Sequence, residues 1–595
     1  MEIIYIFTVI FLLVSTLLIK KSEKERNILL SITITTIVFT IYNILIAFLF
    51  SIIKIPCNLL VLSIANTIIA SILTFLIIKK KEKQKYYIRI KDIVCLIVLL
   101  VVIISIGLTN YKVPMQIKYQ TTDPAVHYEF AKDFYNTKTL KWDSNMPAAA
   151  VNTAILFDTF DFVVQEDSFY VLFILFDLGI LFLIGAVFYL GIIAKIKSIK
   201  ISIITFILGV IFLCGYPLNS VIFGYSYLTV GILYLVTLIV TAIEYKTKEL
   251  NTVFLCFEMF FINFGLFFSY YFFVPVVYLA LGLYMLFDML KNRKNKKVLS
   301  IFTKENILKV IVILVVPSIL GLIYFVLPGI IKNEGTALSA ISSEGYIYRD
   351  LYSNFVLFAP LAIFYVLYNL KNKKNSFSTV LFIISSVFTL FLLKKGLKGE
   401  VSSYYYYKMY FLLWILVFYM NVKALLILDE NKNTLFSYSF VAVIIGVLAI
   451  AITGYDYKIS SINVLFNPTN SINSYANIFI FNKLKLEEED NIYSEKQLNA
   501  IKYTLKQSDN KKNIKVNGKP LQMLWANAVW KITDTEDIRQ LQNEEKLNLQ
   551  EWLENKDKKY IIIFNDISQT LAENTEDYKT IYKEKDVVVF EKNNY

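Results

Sequence analysis

Long uninterrupted apolar runs are the feature that most constrains what this chain can fold into. Runs of 17 to 25 residues recur along most of its length, and each one is long enough to cross the hydrocarbon core of a bilayer as a helix. The run from 251 to 290 is too long for one helix, so we divide it at Pro275, which can start a second one. The sequence therefore predicts about fourteen spans, near 3–19, 27–49, 59–78, 93–108, 168–194, 201–215, 226–243, 251–268, 274–290, 309–328, 354–370, 376–393, 410–428 and 437–453.

The basic loops between these runs fall on alternate turns, which orients the chain. The first run has no basic residue before it and four after it, which is the reverse of a cleavable signal peptide and predicts a retained anchor. By the positive-inside rule all the basic loops are cytoplasmic, and fourteen spans then place the C-terminus outside. These loops are 20–26, 79–92, 195–200, 291–297 and 371–374.

The net charge of +13 belongs to these loops, because residues 455–595 carry nearly equal numbers of basic and acidic side chains. The charge is therefore explained by topology and indicates no nucleic-acid partner. The four cysteines lie in or beside predicted spans, so neither a disulfide framework nor a thiolate metal site is expected.

The chain divides into three predicted parts. Residues 1–92 form an N-terminal membrane extension of three helices, and 93–454 form the main membrane module with a long first outer loop at 109–167. Residues 455–595 are expected to form a small extracytoplasmic α/β domain. Its predicted helices are 494–507 and 544–556, and its predicted strands are 512–518, 558–566 and 586–594. A structural cap or a carbohydrate-contacting module is the expected role of that domain.

The first outer loop holds His127, the only histidine in the chain, four residues after Asp123. Asp123-Pro124 is typical of a helix start, with aspartate as N-cap and proline at the first helical position. The following segment "AVHYEFAKDFYN" predicts an amphipathic helix suited to the outer membrane surface, with Lys132 on its polar, solvated face. Asp123 and His127, one turn apart, are expected to face the same spot. Two plainer interpretations stay open, in which Asp123 only caps the helix and His127 is an interfacial side chain without chemistry.

The loop "TTDPAVHYEFAKDF" resembles the first outer loop of the GT-C class of membrane glycosyltransferases, which use sugars carried on polyprenyl phosphate. This is the superfamily of aminoarabinose transferases, protein mannosyltransferases and oligosaccharyltransferases. In that class the first loop carries a catalytic acid, so the resemblance implies Asp123 as the catalytic base, with His127 assisting. An Asp-Glu or Asp-x-Asp pair is more usual there than Asp-Pro, which argues against the metal-binding members. No cofactor is predicted with certainty, and a divalent metal stays an open alternative.

A lipid-linked donor would present a phosphate, which needs cations on the outer side. Arg349 is the only arginine in an outer loop between spans, and Lys398 and Lys408 flank the next outer loop. We expect these side chains to bind the donor phosphate, unless they are membrane-interface anchors. Tyr404 and Tyr407 belong to "SSYYYYK" at the same mouth, where they either contact sugar or form an aromatic belt.

Other acidic residues are secondary candidates. Asp158 and Asp161 lie three residues apart near the end of the first outer loop, and either could be a second active-site acid. Asp177 and Glu258 fall inside predicted spans, where a carboxylate is costly and therefore a site candidate, although it is often paired structurally. We rank both below Asp123.

The favoured function is transfer of a sugar from a polyprenyl-phosphate donor to a cell-surface glycan or glycopolymer, outside a bacterial cell membrane. A polysaccharide polymerase or ligase is an alternative, but such enzymes tend to carry their long outer loop late in the chain. A lipid-linked-saccharide flippase or transporter is another alternative. Transporters usually need polar groups near the midplane and often internal repeats, whereas the polar features here gather at the outer face.

Overall fold

A computed structural model gives the fold of the chain. It describes residues 1–113, 115–119, 121–141, 146–247, 249–291, 303–325, 358–372, 376–398, 400–401, 403–430, 486, 488–532, 558–564 and 578–593. Arg349 and the predicted segments 437–453 and 544–556 lie outside the described residues.

Apolar sequence forms helix throughout the described membrane part, because a backbone in hydrocarbon must satisfy its own hydrogen bonds. Thirteen of the fourteen predicted spans overlap helices, and ten described segments are long and apolar enough to cross a membrane. The chain is therefore a multi-pass membrane protein. The helices of this part are α1 (Glu2–Leu18), α2 (Ile28–Ile52), α3 (Leu59–Lys80), α4 (Ile90–Tyr111), α5 (Asp123–Thr137), α6 (Ala148–Phe160), α7 (Phe169–Phe188), α8 (Ile199–Cys214), α9 (Tyr216–Ile222), α10 (Ser226–Lys246), α11 (Thr252–Tyr270), α12 (Val274–Lys291), α13 (Lys304–Val310), α14 (Val316–Phe325), α15 (Ala359–Lys371), α16 (Phe377–Leu397) and α17 (Ser403–Glu430).

Short polar side chains set several of the helix starts. Asn27, Asn58, Ser198 and Asn251 each accept a hydrogen bond from a backbone N–H in the first turn of α2, α3, α8 and α11. The long run from 251 to 290 breaks as predicted, since a 3₁₀ turn at Tyr271–Phe273 separates α11 from α12. These caps satisfy N–H groups that would otherwise lack a partner near the membrane surface.

Helix α10 is the centre of the bundle. It packs against α6, α7, α11 and α17, and nearly all of it is buried. Helices α3 and α4 lie at the periphery and expose most of their apolar surface, as expected for helices that face lipid. Helix α2 belongs to the predicted N-terminal extension but packs against α6, α7 and α11. The boundary of that extension at residue 92 stays a prediction.

Two of the predicted inner loops, 20–26 and 79–92, meet at one end of the bundle, where buried charges come together. Residues Arg26–Asn27 (β1) pair with Tyr86–Tyr87 (β2) in a short parallel bridge. The Arg26 guanidinium donates through one nitrogen to both carboxylate oxygens of Glu244, at 2.8 and 2.7 Å. Glu258, one of the acids that the sequence places inside spans, lies 4.0 Å from the Lys21 ammonium. Pairing with a lysine is a structural role, and it is a common reason for a carboxylate inside a helical bundle.

The described C-terminal segments form a small α/β domain. Its helices are α18 (Glu495–Gln507) and α19 (Pro520–Trp530). Its four strands have the order β3-β4-β6-β5, with β3 parallel to β4 and the other pairs antiparallel. They are β3 (Ile514–Asn517), β4 (Tyr560–Phe564), β5 (Tyr578–Glu584) and β6 (Val587–Lys592). The fold class predicted from the sequence, a helical membrane protein with a small α/β domain, is therefore confirmed, while α19 and β5 were not predicted.

Candidate functional site

Helix α5 carries Asp123 and His127, and its start differs from the prediction. Thr122 occupies the N-cap position, and Asp123 is the first helical residue. No side chain caps this helix, so the prediction of Asp123 as the N-cap was wrong. The start of the helix is fixed instead by Thr121, just before the N-cap, whose hydroxyl donates to the Phe223 carbonyl oxygen at 2.7 Å. The Asp123 carboxylate, which is partly exposed, has no hydrogen bond or ion pair with the residues that the structure describes.

The turn between α9 and α10 fixes where α5 begins. Gly224 has φ +70°, a left-handed conformation that favours glycine. A Cβ atom on this residue would lie 2.4 Å from Cβ of Pro124, which is closer than packed atoms allow. The turn therefore needs glycine both for its backbone and for its contact with the residue after Asp123.

The same turn places the ring of Tyr225 against the Lys408 ammonium. Lys408 lies in the second turn of α17 and is fully buried. Its Nζ is 3.2 Å from the ring centroid of Tyr225, a cation–π contact. The rings around this ammonium are called the aromatic cage below, and they belong to Tyr225, Tyr227, Tyr404, Tyr407 and Phe411, with the other four centroids at 4.8 to 5.9 Å.

Within the part of the chain that is described, Nζ of Lys408 has no hydrogen-bond partner. An ammonium taken out of water without an acceptor is unfavourable by several kcal/mol, and cation–π contacts offset only part of that. The Asp123 carboxylate acts on this ammonium as an opposite charge.

His127 lies one turn after Asp123 on α5, and its ring contacts the aromatic cage. Its ring centroid is 4.7 Å from that of Tyr227 and 5.9 Å from that of Phe130. Burial lowers the pKa of His127 to about 4, the Asp123 carboxylate opposes this shift, and the Lys408 ammonium adds to it. The imidazole is therefore neutral at pH 7 and can accept a hydrogen bond or a proton.

Several predicted site residues meet here, although they are distant in sequence. Asp123 and His127 from the first outer loop are joined by Lys408, Tyr404 and Tyr407 from the start of α17. Sequence reasoning missed Tyr225 and Tyr227. Their position at the predicted outer mouth of a span, after a glycine in "FGYSYL", was the available signal.

Other candidates lie elsewhere. Asp158 is bonded to Lys138, just after the last residue of α5, whereas Asp123 is the first residue of that helix. At 1.5 Å per residue, these two ends are roughly 20 Å apart. Asp161 and Lys398 are exposed at the ends of α6 and α16. Asp177 is buried in α7, close to the turn that bears the cage tyrosines, and accepts a hydrogen bond from the Ser226 hydroxyl at 2.8 Å.

The C-terminal domain packs against α5 on the side that faces away from the bundle. The indole of Trp525 in α19 stacks on Tyr119 with ring centroids 5.5 Å apart and also contacts the ring of Tyr128. The Lys132 ammonium, almost fully buried, donates to the Val529 carbonyl oxygen at 2.8 Å and pairs with Glu166 at 2.7 Å. Burial lowers the pKa of Lys132, and the Glu166 carboxylate opposes that shift.

These contacts correct the predicted setting of α5. The sequence placed Lys132 on a solvated face of a helix lying on the membrane surface. The structure places α5 between α6 and the C-terminal domain, with buried side chains on both sides. We call the contacts of Trp525 and Lys132 the α5 clamp.

Comparison with known proteins shows a likeness to a solved structure. No family model matches the chain, and no curated protein matches it. The chain is similar to the apo crystal structure of an oligosaccharyltransferase from Archaeoglobus fulgidus, with 13% sequence identity and a TM-score of 0.44. The match covers 85% of this chain and 74% of the other. It is a likeness of fold, and no role of a residue is transferred from it.

Proposed function

We propose that this protein is a membrane glycosyltransferase of the GT-C type. It would move a sugar from a polyprenyl-phosphate donor to a cell-surface glycan or glycopolymer on the outer face of the membrane. The observation that carries the proposal is that the helix bearing Asp123 contacts the aromatic cage through His127, and that the cage holds the buried Lys408 ammonium, which has no acceptor among the described residues. A base and an anion-binding cation are the two groups that this transfer needs.

In the proposed reaction, the Asp123 carboxylate takes the proton of an acceptor hydroxyl. The hydroxyl oxygen forms a bond to the anomeric carbon of the donor sugar, and the bond from that carbon to the phosphate oxygen breaks. The electron pair leaves with the lipid phosphate, whose growing negative charge Lys408 would stabilise. Neutral His127 would orient Asp123 or contact the same phosphate.

The aromatic rings suit the sugar and the lipid head group. Tyr404 and Tyr407 would stack on the sugar and offer hydroxyls, together with Tyr227, whose hydroxyl lies 3.4 Å from that of Tyr404. Arg349 stays a proposed second phosphate ligand, and Lys398 a proposed attracting charge at the mouth. A lipid-linked donor follows from the outer location, because nucleotide sugars are not supplied outside the cell.

The test is transfer from synthetic polyprenyl-phospho-sugars by the purified chain in lipid, with and without a chelator. Asp123→Asn should fold and lose transfer by about 10²-fold or more, because asparagine cannot accept the proton. Since Asp123 makes no cap hydrogen bond, the helix start itself should lose no more than about 1 kcal/mol, the effect of one charge there.

Asp133→Asn is the matched control, because it removes a carboxylate from the same helix where it pairs with Lys141 at the surface. It should leave transfer unchanged. Full activity of Asp123→Asn would refute the assignment of the base. Absence of transfer from every lipid-linked donor would refute the proposed reaction itself.

A further inference from the structure

A cavity of about 580 Å³ lies at the opposite end of the bundle from the candidate site. It separates α1 and α3 from α2 and α11, and apolar side chains such as Leu12, Val38, Leu73 and Phe261 form most of its wall. Its mouth lies at the last turns of α1 and α3, beside the basic loops that the topology places inside. This volume is in the range of sites that hold small molecules.

Two hydroxyls in the wall have no partner among the described residues. Thr35 and Tyr42 are buried, and neither hydroxyl has a hydrogen-bond partner in the described part of the chain. A buried hydroxyl is destabilising unless it is hydrogen-bonded, so these groups call for an occupant with acceptor atoms. The ester carbonyls of a glycerolipid are acceptors attached to apolar chains, which matches both kinds of surface in this wall.

The mouth carries charges of both signs. The Lys20 ammonium bridges Glu23 at 2.7 Å and Glu82 at 3.0 Å, which leaves one negative charge in excess in this group. Lys80 lies at the same mouth, is exposed, and makes no ion pair with a described residue. A purely anionic head group would meet two carboxylates, whereas a zwitterionic one can place its phosphate on Lys80 and its ammonium on the carboxylates.

We propose that this cavity binds one inner-leaflet glycerophospholipid with a primary-amine head group, a phosphatidylethanolamine. An acyl chain fills the apolar part, an ester carbonyl accepts from Thr35, and the head group lies between Lys80 and Glu82. The lipid links the first and third helices to the rest of the bundle. This site is independent of the proposed transfer reaction.

The test is lipid retention by the delipidated full-length chain, measured by native mass spectrometry. The protein is offered equal amounts of phosphatidylethanolamine, phosphatidylcholine and phosphatidylglycerol. Wild type should retain phosphatidylethanolamine about tenfold over either of the others, the effect of one charge-assisted hydrogen bond. Glu82→Gln should remove most of this preference, and Glu25→Gln, an exposed neighbour that does not line the cavity, should keep it.

A second variant examines the cavity itself. Leu73→Trp fills part of it and should reduce retention of all three lipids. Equal retention of the three lipids by wild type, or preference for phosphatidylglycerol, would overturn the proposal. So would unchanged retention by Leu73→Trp. If that variant fails to accumulate, the pair Glu82→Gln and Glu25→Gln decides, since both changes are at exposed side chains.

Discussion

Replacing Lys408 with methionine should make the protein more stable and inactive. Methionine has nearly the length of lysine, fits among aromatic rings and has no charge. The Lys408 ammonium is fully buried and has no acceptor among the described residues. The change therefore removes a charge that the folded protein holds at a cost, together with the group proposed to receive the donor phosphate.

The magnitude follows from two opposing contributions. Burying an ammonium is unfavourable by several kcal/mol even after local relaxation. The closest ring, Tyr225 at 3.2 Å, offsets about 2 kcal/mol of this, and the more distant rings offset less. Lys408→Met should therefore raise the free energy of unfolding by about 1–2 kcal/mol. Loss of the cation at the leaving phosphate should lower the rate of transfer by about 10²–10³-fold.

The assay pairs the melting temperature of the purified protein with single-turnover transfer from a polyprenyl-phospho-sugar. Lys423→Met is the matched control, because Lys423 lies near the other end of the same helix, 5.7 Å from the ring of Tyr419. It should leave transfer intact. A lower melting temperature with retained transfer in Lys408→Met would refute the reasoning and identify Lys408 as a structural counter-ion of Asp123.

Three further predictions concern the histidine, the α5 clamp and the topology. His127 is the only histidine, so its NMR titration is unambiguous, and its midpoint should lie near pH 4, not at the ordinary 6.5. The imidazole of the unfolded chain binds a proton at higher pH than that of the folded chain. The free energy of unfolding should therefore be full above pH 6.5 and fall as the pH drops towards 4. An NMR titration midpoint near 6.5 would contradict the buried position. Trp525→Ala should weaken docking of the C-terminal domain by about 3–5 kcal/mol and reduce transfer. Leu521→Ala, at a half-buried position on the same helix, should have a much smaller effect on both. Equal effects of the two changes would argue against the α5 clamp. Asp509→Cys should react with an impermeant thiol reagent on intact cells and Glu25→Cys only after lysis, and the reverse pattern would invert the topology.

Hydropathy and charge were enough to predict the membrane part of this fold. Spans such as α10 and α11 follow from length and composition alone, since a helix is the only way for such a segment to satisfy its backbone in lipid. The basic loops then separated the two ends of the bundle. The residues of the candidate site could be placed at one end for the same reason, because each of them lies at a predicted outer mouth.

Side-chain surroundings could not be predicted in the same way, because they depend on contacts between distant segments. Lys132 was assigned to a solvated face, but its partners Val529 and Glu166 come from other elements. Helix α19 was missed because "PLQMLWANAVW" is buried on all sides of its second half and therefore lacks a polar face. The contact of Tyr225 with Lys408 depends on how α9, α10 and α17 are rotated in the bundle.

The α5 clamp also has a consequence for biosynthesis. Lys132 is made early in translation, but its acceptor at Val529 is made 397 residues later. Until then the lysine and the ring of Tyr119 lack the groups that cover them in the finished fold. We therefore expect nascent or truncated chains that end before α19 to be protease-sensitive around α5 and inactive in transfer. Docking of the C-terminal domain on α5 would then decide when the candidate site is complete.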